Sequence, residues 1–341
     1  MIAQSREWLQ HWIAKGAAII QRFPRLIALF GFVSGIASFF LVDRQHGAGK
    51  IMAVVMIVTW LWLMLENILT QTLAKRFGLF LPPPLLRYVT QLIHQESLFF
   101  VLPFFAITTS WNSGQAVFTG LLGAAALISI IDPLYYHWLS TKRALFLAYH
   151  NLALFAVMLT ALPLIVHLNT AESYLLALVM TLLVSLPSRL VSIPITSPRR
   201  WLMALSMTAV VGIAGVVLRP WVPPATLWMN QVAITTSMNN DRRDPGKGIK
   251  SLTESELRQQ GLYAFTAINA PQGLDEKVFH VWKHEGHTVD RIALEIHGGR
   301  KQGYRAWTHK SNFPEDVKGK WKVQVVTEGG QIIGTLRFEV R

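Results

Sequence analysis

Two sets of side chains in this sequence have the types and spacing to do chemistry. The first is "FHVWKHEGH", residues 279–287, which crowds His280, Trp282, His284 and His287 near the carboxyl end. Neutral imidazole is a metal ligand, and an indole face receives cations and apolar ligand surfaces. If Glu285 and Gly286 are the central pair of a tight turn, His284 and His287 oppose each other across a hairpin. Their Cβ atoms would then lie about 4.5–5.5 Å apart, close enough to share a metal. His280 stands roughly 13 Å further along its strand. Two ligands fall short of the four that a structural zinc site uses, so the segment by itself implies no metal and no cofactor. Strand alternation places His280, Trp282 and His284 on one face and Phe279, Val281 and Lys283 on the other. On that reading the histidines are half-exposed beside a packed indole. With Arg291, Tyr304, Arg305, Trp307 and His309 they would offer aromatic and cationic surface to a glycan or an anionic envelope polymer.

The second set lies inside apolar runs: Glu66, Gln91, His94, Glu96, Asp132, Tyr136, His150 and Asn151, with Tyr135 beside them. An ionisable group near the middle of a bilayer costs about 2.5–3.5 kcal/mol on insertion scales, so such groups face a bundle interior and pair. Three readings stay open. The residues tie helices together by hydrogen bonds, or they form a site for a lipid headgroup, small polar substrate or proton path, or they build a membrane-embedded metal hydrolase. The third has the least support, because seven-span zinc hydrolases carry paired histidines on their last helix. The last apolar run here, "RRWLMALSMTAVVGIAGVVL", has none, and no H-E-x-x-H, G-x-S-x-G or Walker-type loop occurs elsewhere.

What must position these groups follows from the apolar pattern. Of the 341 residues 52% are hydrophobic, and they concentrate in long runs before residue 220. A bilayer span needs about 20 such residues in succession. Seven segments qualify: 24–42, 51–69, 92–111, 116–137, 143–166, 171–187 and 199–218. Pro103 is expected to kink the third. Residues 1–22, with Trp8, Leu9, Trp12 and Ile13 beside Arg6, Lys15 and Arg22, suit a helix lying in the headgroup region. No cleavable leader is evident. With the amino end inside, twelve lysines and arginines fall on the cytoplasmic side and three, Arg44, Lys50 and Arg219, on the other. The +13 net charge therefore reports topology, not affinity for nucleic acid. The absence of cysteine removes disulfides and thiolate sites.

Residues 220–260 read as an interfacial segment, a charged linker and a short helix. Thr253 and Glu256 are spaced as a capping box and Gly261 is placed to end the helix. From 261 to 341 the period shifts to two. Six strand-length runs are separated by glycine-, proline- or aspartate-containing turns, "TEGGQ" among them, which predicts a small antiparallel sandwich of the immunoglobulin or fibronectin kind. Its expected core is Phe265, Val281, Ile292, Leu294, Trp307, Trp321, Val323 and Val325.

The pattern "AFTAINAP…HVWKHEG…GYRAWTHK…GKWKVQVVTEGGQIIGTLRFEV" resembles a bacterial domain of unknown function found at the carboxyl end of envelope proteins. "LIALFGFVSGIASFFLVDRQ" and "IHQESLFFVLPFF" resemble an uncharacterised multi-span family that often precedes it. The resemblance implies a two-part bacterial inner-membrane protein with a periplasmic tail, and it assigns no residue a role. The expected function is binding, without an enzymatic step. The tail would take a partner protein or a glycan or anionic envelope ligand while the bundle anchors it in the bilayer. The alternative is a transporter or lipid-acting protein that uses the intramembrane polar cluster.

Overall fold

The computed structural model describes residues 2–23, 29–30, 33, 37, 46–166, 168–193, 199–239, 241–270, 273–274, 276–299 and 303–341. The described chain divides into two compact units. Residues 1–103, 120–166 and 176–213 make the first, and 104–119, 167–175 and 214–341 the second.

Helices build the first unit. Helix α1 is Ile2–Arg22. Helix α2, His46–Thr72, runs without a break into a π-helical turn, Leu73–Phe77, closed by Gly78 in the left-handed region at φ 57°. Helix α3, Pro83–Thr108, starts on a proline run whose missing N–H groups would be orphaned there anyway. Helix α4 is Gln115–Ile130 and α5 is Arg143–Val166. Helices α6, Thr170–Ser192, and α7, Arg199–Val217, complete the set. Helix α5 is apolar on every side and buried almost throughout from Ala153 to Leu164, as an all-round hydrophobic helix must be. Helix α7 is equally apolar yet buries only Ala204, while Leu202, Ile213 and Val217 are 70%, 65% and 68% exposed.

Among the described residues three helices are long and apolar enough to cross a membrane: Arg143–Val166, Thr170–Pro187 and Arg199–Val217. A fourth follows if a bent pair counts as one span, so the expected seven are not found. The reasons differ by segment. The segment 24–42 lies almost wholly outside the described residues. Helix α3 is diluted by Gln91, His94, Gln95, Glu96 and Ser97, and it takes up Pro103 without ending. The expected continuous span at 116–137 is broken. Helix α4 stops at Ile130 and a π-helix, Pro133–Leu139, leaves at 101° to it. Pro133 has no N–H to continue the α4 ladder, and a π-helical register takes over.

The second unit joins helix ends to the β region. Strands β1 (Trp228–Thr235), β2 (Met238–Asn239), β3 (Asp244–Pro245) and β4 (Ser251–Leu252) precede helix α8, Glu254–Gln260. Then come β5 (Leu262–Asn269), β6 (Val278–His284), β7 (His287–Ala293), β8 (His297–Gly299), β9 (Gly303–Lys310), β10 (Gly319–Thr327) and β11 (Ile332–Val340). One sheet runs β1-β5-β9-β8 and a second β4-β11-β10-β6-β7, with β2 and β3 paired apart. Both large sheets line a single core that includes Ile234, Leu262, Ile268, Trp282, Trp321, Val323 and Phe338. The segment expected at an outer interface is thus in part a strand, because β1 pairs with β5 from Trp228↔Asn269 to Thr235↔Tyr263.

Local signals in this unit act as their chemistry dictates. The Thr253 hydroxyl accepts from the Glu256 N–H, the Glu256 carboxylate accepts from the Thr253 N–H at 2.8 Å, and Gly261 closes α8 at φ 64°. Glu285 (φ 45°) and Gly286 (φ 89°) turn β6 into β7 and set His284 directly against His287. Of the expected core, Phe265, Trp321, Val323 and Val325 are fully buried, whereas Ile292 and Leu294 only border the core and Trp307 is half-buried.

Within the same unit, helix ends and strands bond directly. Gln115 Nε2 donates to the Ile332 carbonyl at 2.8 Å, and Gln331 Nε2 donates to the Val222 carbonyl at 3.1 Å. The Arg219 guanidinium lies 4.9 Å from the Tyr174 ring centroid. The Thr170 hydroxyl donates to Glu276, whose carboxyl is raised above the ordinary carboxylate range by burial, with Arg219 opposing that shift.

Candidate functional site

The polar residues of the first unit converge on one place. Helix α3 presents Arg87, Gln91, His94 and Leu98 at helical spacing, so they share a face. Gln91 Nε2 donates to the Ser129 carbonyl and to Asp132 Oδ1, both at 2.9 Å, and Gln91 Oε1 accepts from the Tyr136 hydroxyl at 2.5 Å. This bridge ties α3 to the last turn of α4 and to the π-helix. Beside it opens a cleft of about 970 Å³, at the upper end of the size range of small-ligand sites. Pro83, Pro84, Leu86, Leu92 and Phe146 give it apolar walls, and Arg87, Tyr88, Gln91, Asp132, Tyr136 and His137 supply its polar groups. The Tyr88 hydroxyl is buried and has no hydrogen-bond partner among the described residues. Buried polar groups are ordinarily satisfied, so this unpartnered hydroxyl on a cleft-lining residue is an exception.

Behind the cleft lies a closed group of rings. Tyr135 lines the cleft, and its hydroxyl is 2.7 Å from His94 Nδ1. His94 Nε2 is 3.0 Å from His150 Nδ1. His94 is fully buried, with Tyr149, Phe146 and Tyr135 centroids 5.1, 5.8 and 6.0 Å from its own. Trp60 of α2 packs 4.7 Å from His150 and 5.6 Å from His94. The indole is itself fixed, donating to Ser97 Oγ at 2.9 Å, and Tyr149 donates to the Ala125 carbonyl at 3.0 Å.

The predicted cluster is thus partly assembled. Gln91, Asp132 and Tyr136 line the cleft and bond to one another, and His94 and His150 bond to each other behind Tyr135. Asn151 is next in sequence, and its buried side-chain oxygen has no partner among the described residues. Glu96 is half-buried on α3 and does not line the cleft. The side chain of Glu66 lies outside the described residues. Sequence reasoning passed over Trp60, Tyr88 and Tyr149. The available signal was aromatic residues with polar tips deep in apolar runs, where a hydroxyl or indole N–H needs a partner.

The predicted tail face comes apart. His280, Trp282 and His284 do share one face of β6, but that face points into the core: Trp282 and His280 are both fully buried. His280 bonds to the Thr266 hydroxyl at 3.2 Å and the Thr308 hydroxyl at 2.9 Å. Burial lowers its pKa to about 3, so the ring is neutral at neutral pH. His284 stacks on Trp321 at 4.6 Å and its Nε2 lies 2.8 Å from the Lys318 carbonyl. Arg291 covers the Phe279 ring at 4.1 Å, and Tyr304 is half-buried against the core. Arg305 bonds to Asp244 at 2.8 Å, Trp307 packs against His297 at 5.5 Å, and His309 stacks on Tyr263 at 4.1 Å. These residues divide between the two sheets and form no single binding face. The directly opposed pair His284 and His287 gains no further ligand, because no group of three metal-ligating side chains occurs among the described residues.

A helical unit with a ring-lined polar cleft, and a second unit built on two β-sheets, define a helical protein with an all-β carboxyl-terminal region. The chain belongs to the family of unknown function DUF5924, whose match covers residues 6–264. A second family, a protein of unknown function designated DUF2914, matches residues 275–340. No curated protein and no solved structure matches the chain. The boundary between the two families is not a structural one, since the first match ends at residue 264, inside β5, and β1 and β5 share a core with β6, β10 and β11.

Proposed function

We propose that this is an inner-membrane protein of the bacterial envelope whose helical unit binds the headgroup of a zwitterionic phospholipid in the cleft beside α3. The carrying observation is the buried, unpartnered Tyr88 hydroxyl on a cleft that sets Arg87 and Asp132 among apolar walls. A phosphate suits Arg87, an ammonium suits Asp132, and acyl chains suit the proline, leucine and phenylalanine surface. The setting is a seven-span bundle with its amino end cytoplasmic and its tail, a sandwich of the immunoglobulin or fibronectin kind, in the periplasm. Two observations support that setting. Helix α7 exposes apolar side chains along its length, which a lipid surface accepts and water does not. The segments 104–119 and 167–175 and the end of α7 belong to the same compact unit as the tail, as one common side of the bilayer requires.

Native mass spectrometry of the full chain, released from nanodiscs of mixed phosphatidylethanolamine and phosphatidylglycerol, tests the headgroup. The expected result is about tenfold preference for retained phosphatidylethanolamine, an effect of about 1.4 kcal/mol. Asp132→Asn and Tyr88→Phe should each reduce it. Equal retention of both lipids, or a preference untouched by both substitutions, contradicts the reading.

A further inference from the structure

We infer that the His94–His150 pair is a proton-binding site, enclosed by aromatic rings and reached from the cleft through the Tyr135 hydroxyl. The site goes beyond headgroup binding and does not depend on it.

The hydrogen-bond chain has three members: Tyr135 OH to His94 Nδ1 at 2.7 Å, and His94 Nε2 to His150 Nδ1 at 3.0 Å. A neutral imidazole has one donor and one acceptor nitrogen, so only two proton orders satisfy both contacts. In the first, Tyr135 donates to His94 Nδ1, and His94 Nε2–H donates to His150 Nδ1. In the second, His150 Nδ1–H donates to His94 Nε2, and His94 Nδ1–H donates to the Tyr135 oxygen, leaving the tyrosine hydrogen free to turn to the cleft. The same heavy-atom positions serve both, so proton transfer needs no rearrangement of helices.

A proton arriving from the cleft at the Tyr135 oxygen displaces the tyrosine's own hydrogen onto His94 Nδ1. The His94 Nε2 hydrogen then passes to His150 Nδ1. Tyr135 and His94 end neutral, and His150 holds the added proton as imidazolium. The rings nearest that cation are Trp60, 4.7 Å away at 62° to the imidazole, and Phe146, stacked on it at 6.5 Å; the first lies within the distance at which an indole can attract a cation.

Every packed element contributes an identifiable neighbour. Helix α2 supplies Trp60. Helix α3 supplies Gln91, Glu96 and Ser97. Helix α4 supplies the Ala125 carbonyl, which receives Tyr149, and Ser129. The π-helix supplies Tyr135 and Tyr136, with Asp132 at its start already bonded to Gln91. Helix α5 supplies Phe146, Tyr149 and Asn151. Tyr135 lines the cleft and bonds to His94 Nδ1, while His150 takes the other ring nitrogen of His94.

The test is solid-state nitrogen NMR of the histidine-labelled full chain in lipid bilayers, scanned between about pH 4 and pH 9. The expected result is a single proton uptake shared by two coupled rings. The remaining ring loses it in His94→Gln, and likewise in His150→Gln. Tyr135→Phe, which keeps the ring and removes the hydroxyl, retains the uptake and slows its exchange with water at least tenfold. The wild-type scan is decisive even if a histidine variant does not fold. Two rings that stay neutral throughout, or that titrate independently, overturn the site, and unchanged exchange in Tyr135→Phe overturns the route. Lipid retention is a separate readout, so failure here leaves the headgroup reading standing.

Discussion

His280 in the β unit and His94 in the helical unit are both fully buried, and both use two ring nitrogens. Their partners differ. His280 is held by two threonine hydroxyls, which do not titrate, and it spans from β6 to β5 and β9 as a fixed cross-sheet tie. His94 is held by a tyrosine that borders a cleft and by a second imidazole. The comparison teaches that burial alone does not mark a working histidine. What marks it is a partner able to give or take a proton and a path to a space where something can bind.

The sharpest way to break the comparison is to unmake the β unit while the helical unit stands. Trp282 and Trp321 are both fully buried in the shared core, and replacing either with Ala should cost about 3–5 kcal/mol. Limited proteolysis of the full chain should then cut within 228–340 and spare the cleft helices. Acid probes the tie itself. The folded pKa of His280, about 3, lies below its ordinary 6.5, so its contribution is complete above pH 6.5 and lost as pH falls through about 3. The expected slope is up to about 1.4 kcal/mol per pH unit in that window. Thermal unfolding against pH should show it, and His280→Asn should flatten it. A smaller effect is expected at Gly329, where a Cβ would collide with the buried Arg219 guanidinium. Gly329→Ala should cost about 1–1.5 kcal/mol, the low end for overpacking, because the colliding atoms end a flexible side chain that can swing aside at the expense of its contact with Tyr174, seen as a lower melting temperature of the full chain. The smallest is Thr253→Ala, which removes the α8 cap at about 1 kcal/mol, seen as faster amide exchange in residues 254–260.

The β unit was the more legible of the two in sequence. Period-two runs bounded by glycine put β5, β6, β9, β10 and β11 within a residue or two of their places, and Glu285–Gly286 set the hairpin register. Which face of β6 pointed inward was not legible. Histidines look like surface residues until Thr266 and Thr308 arrive from other strands to satisfy them. Residues 228–235 were misread for a related reason: Trp228 after a proline pair looks like an interfacial anchor, and the pairing with β5 joins segments far apart in sequence. In the helical unit the polar positions were visible as exceptions to apolar runs, and Gln91, His94, Asp132, Tyr136 and His150 were found that way. The break at Asp132–Pro133 was not, because its direction is set by the π-helical register and the Gln91 bridge. Nor was the division into a polar cleft lining and a ring box behind Tyr135, which depends on Trp60 and Tyr149 filling the space between helices.

The central claim is that ligand chemistry resides in the cleft beside α3 and not on the β tail. Photoactivatable phosphatidylethanolamine, crosslinked to the full chain in bilayers and mapped by peptide mass spectrometry, tests it most directly. Adducts concentrated in residues 83–95 and 132–146, and reduced by Asp132→Asn, are the predicted result. Adducts spread evenly over all the apolar helices, or confined to residues 262–340, would contradict it.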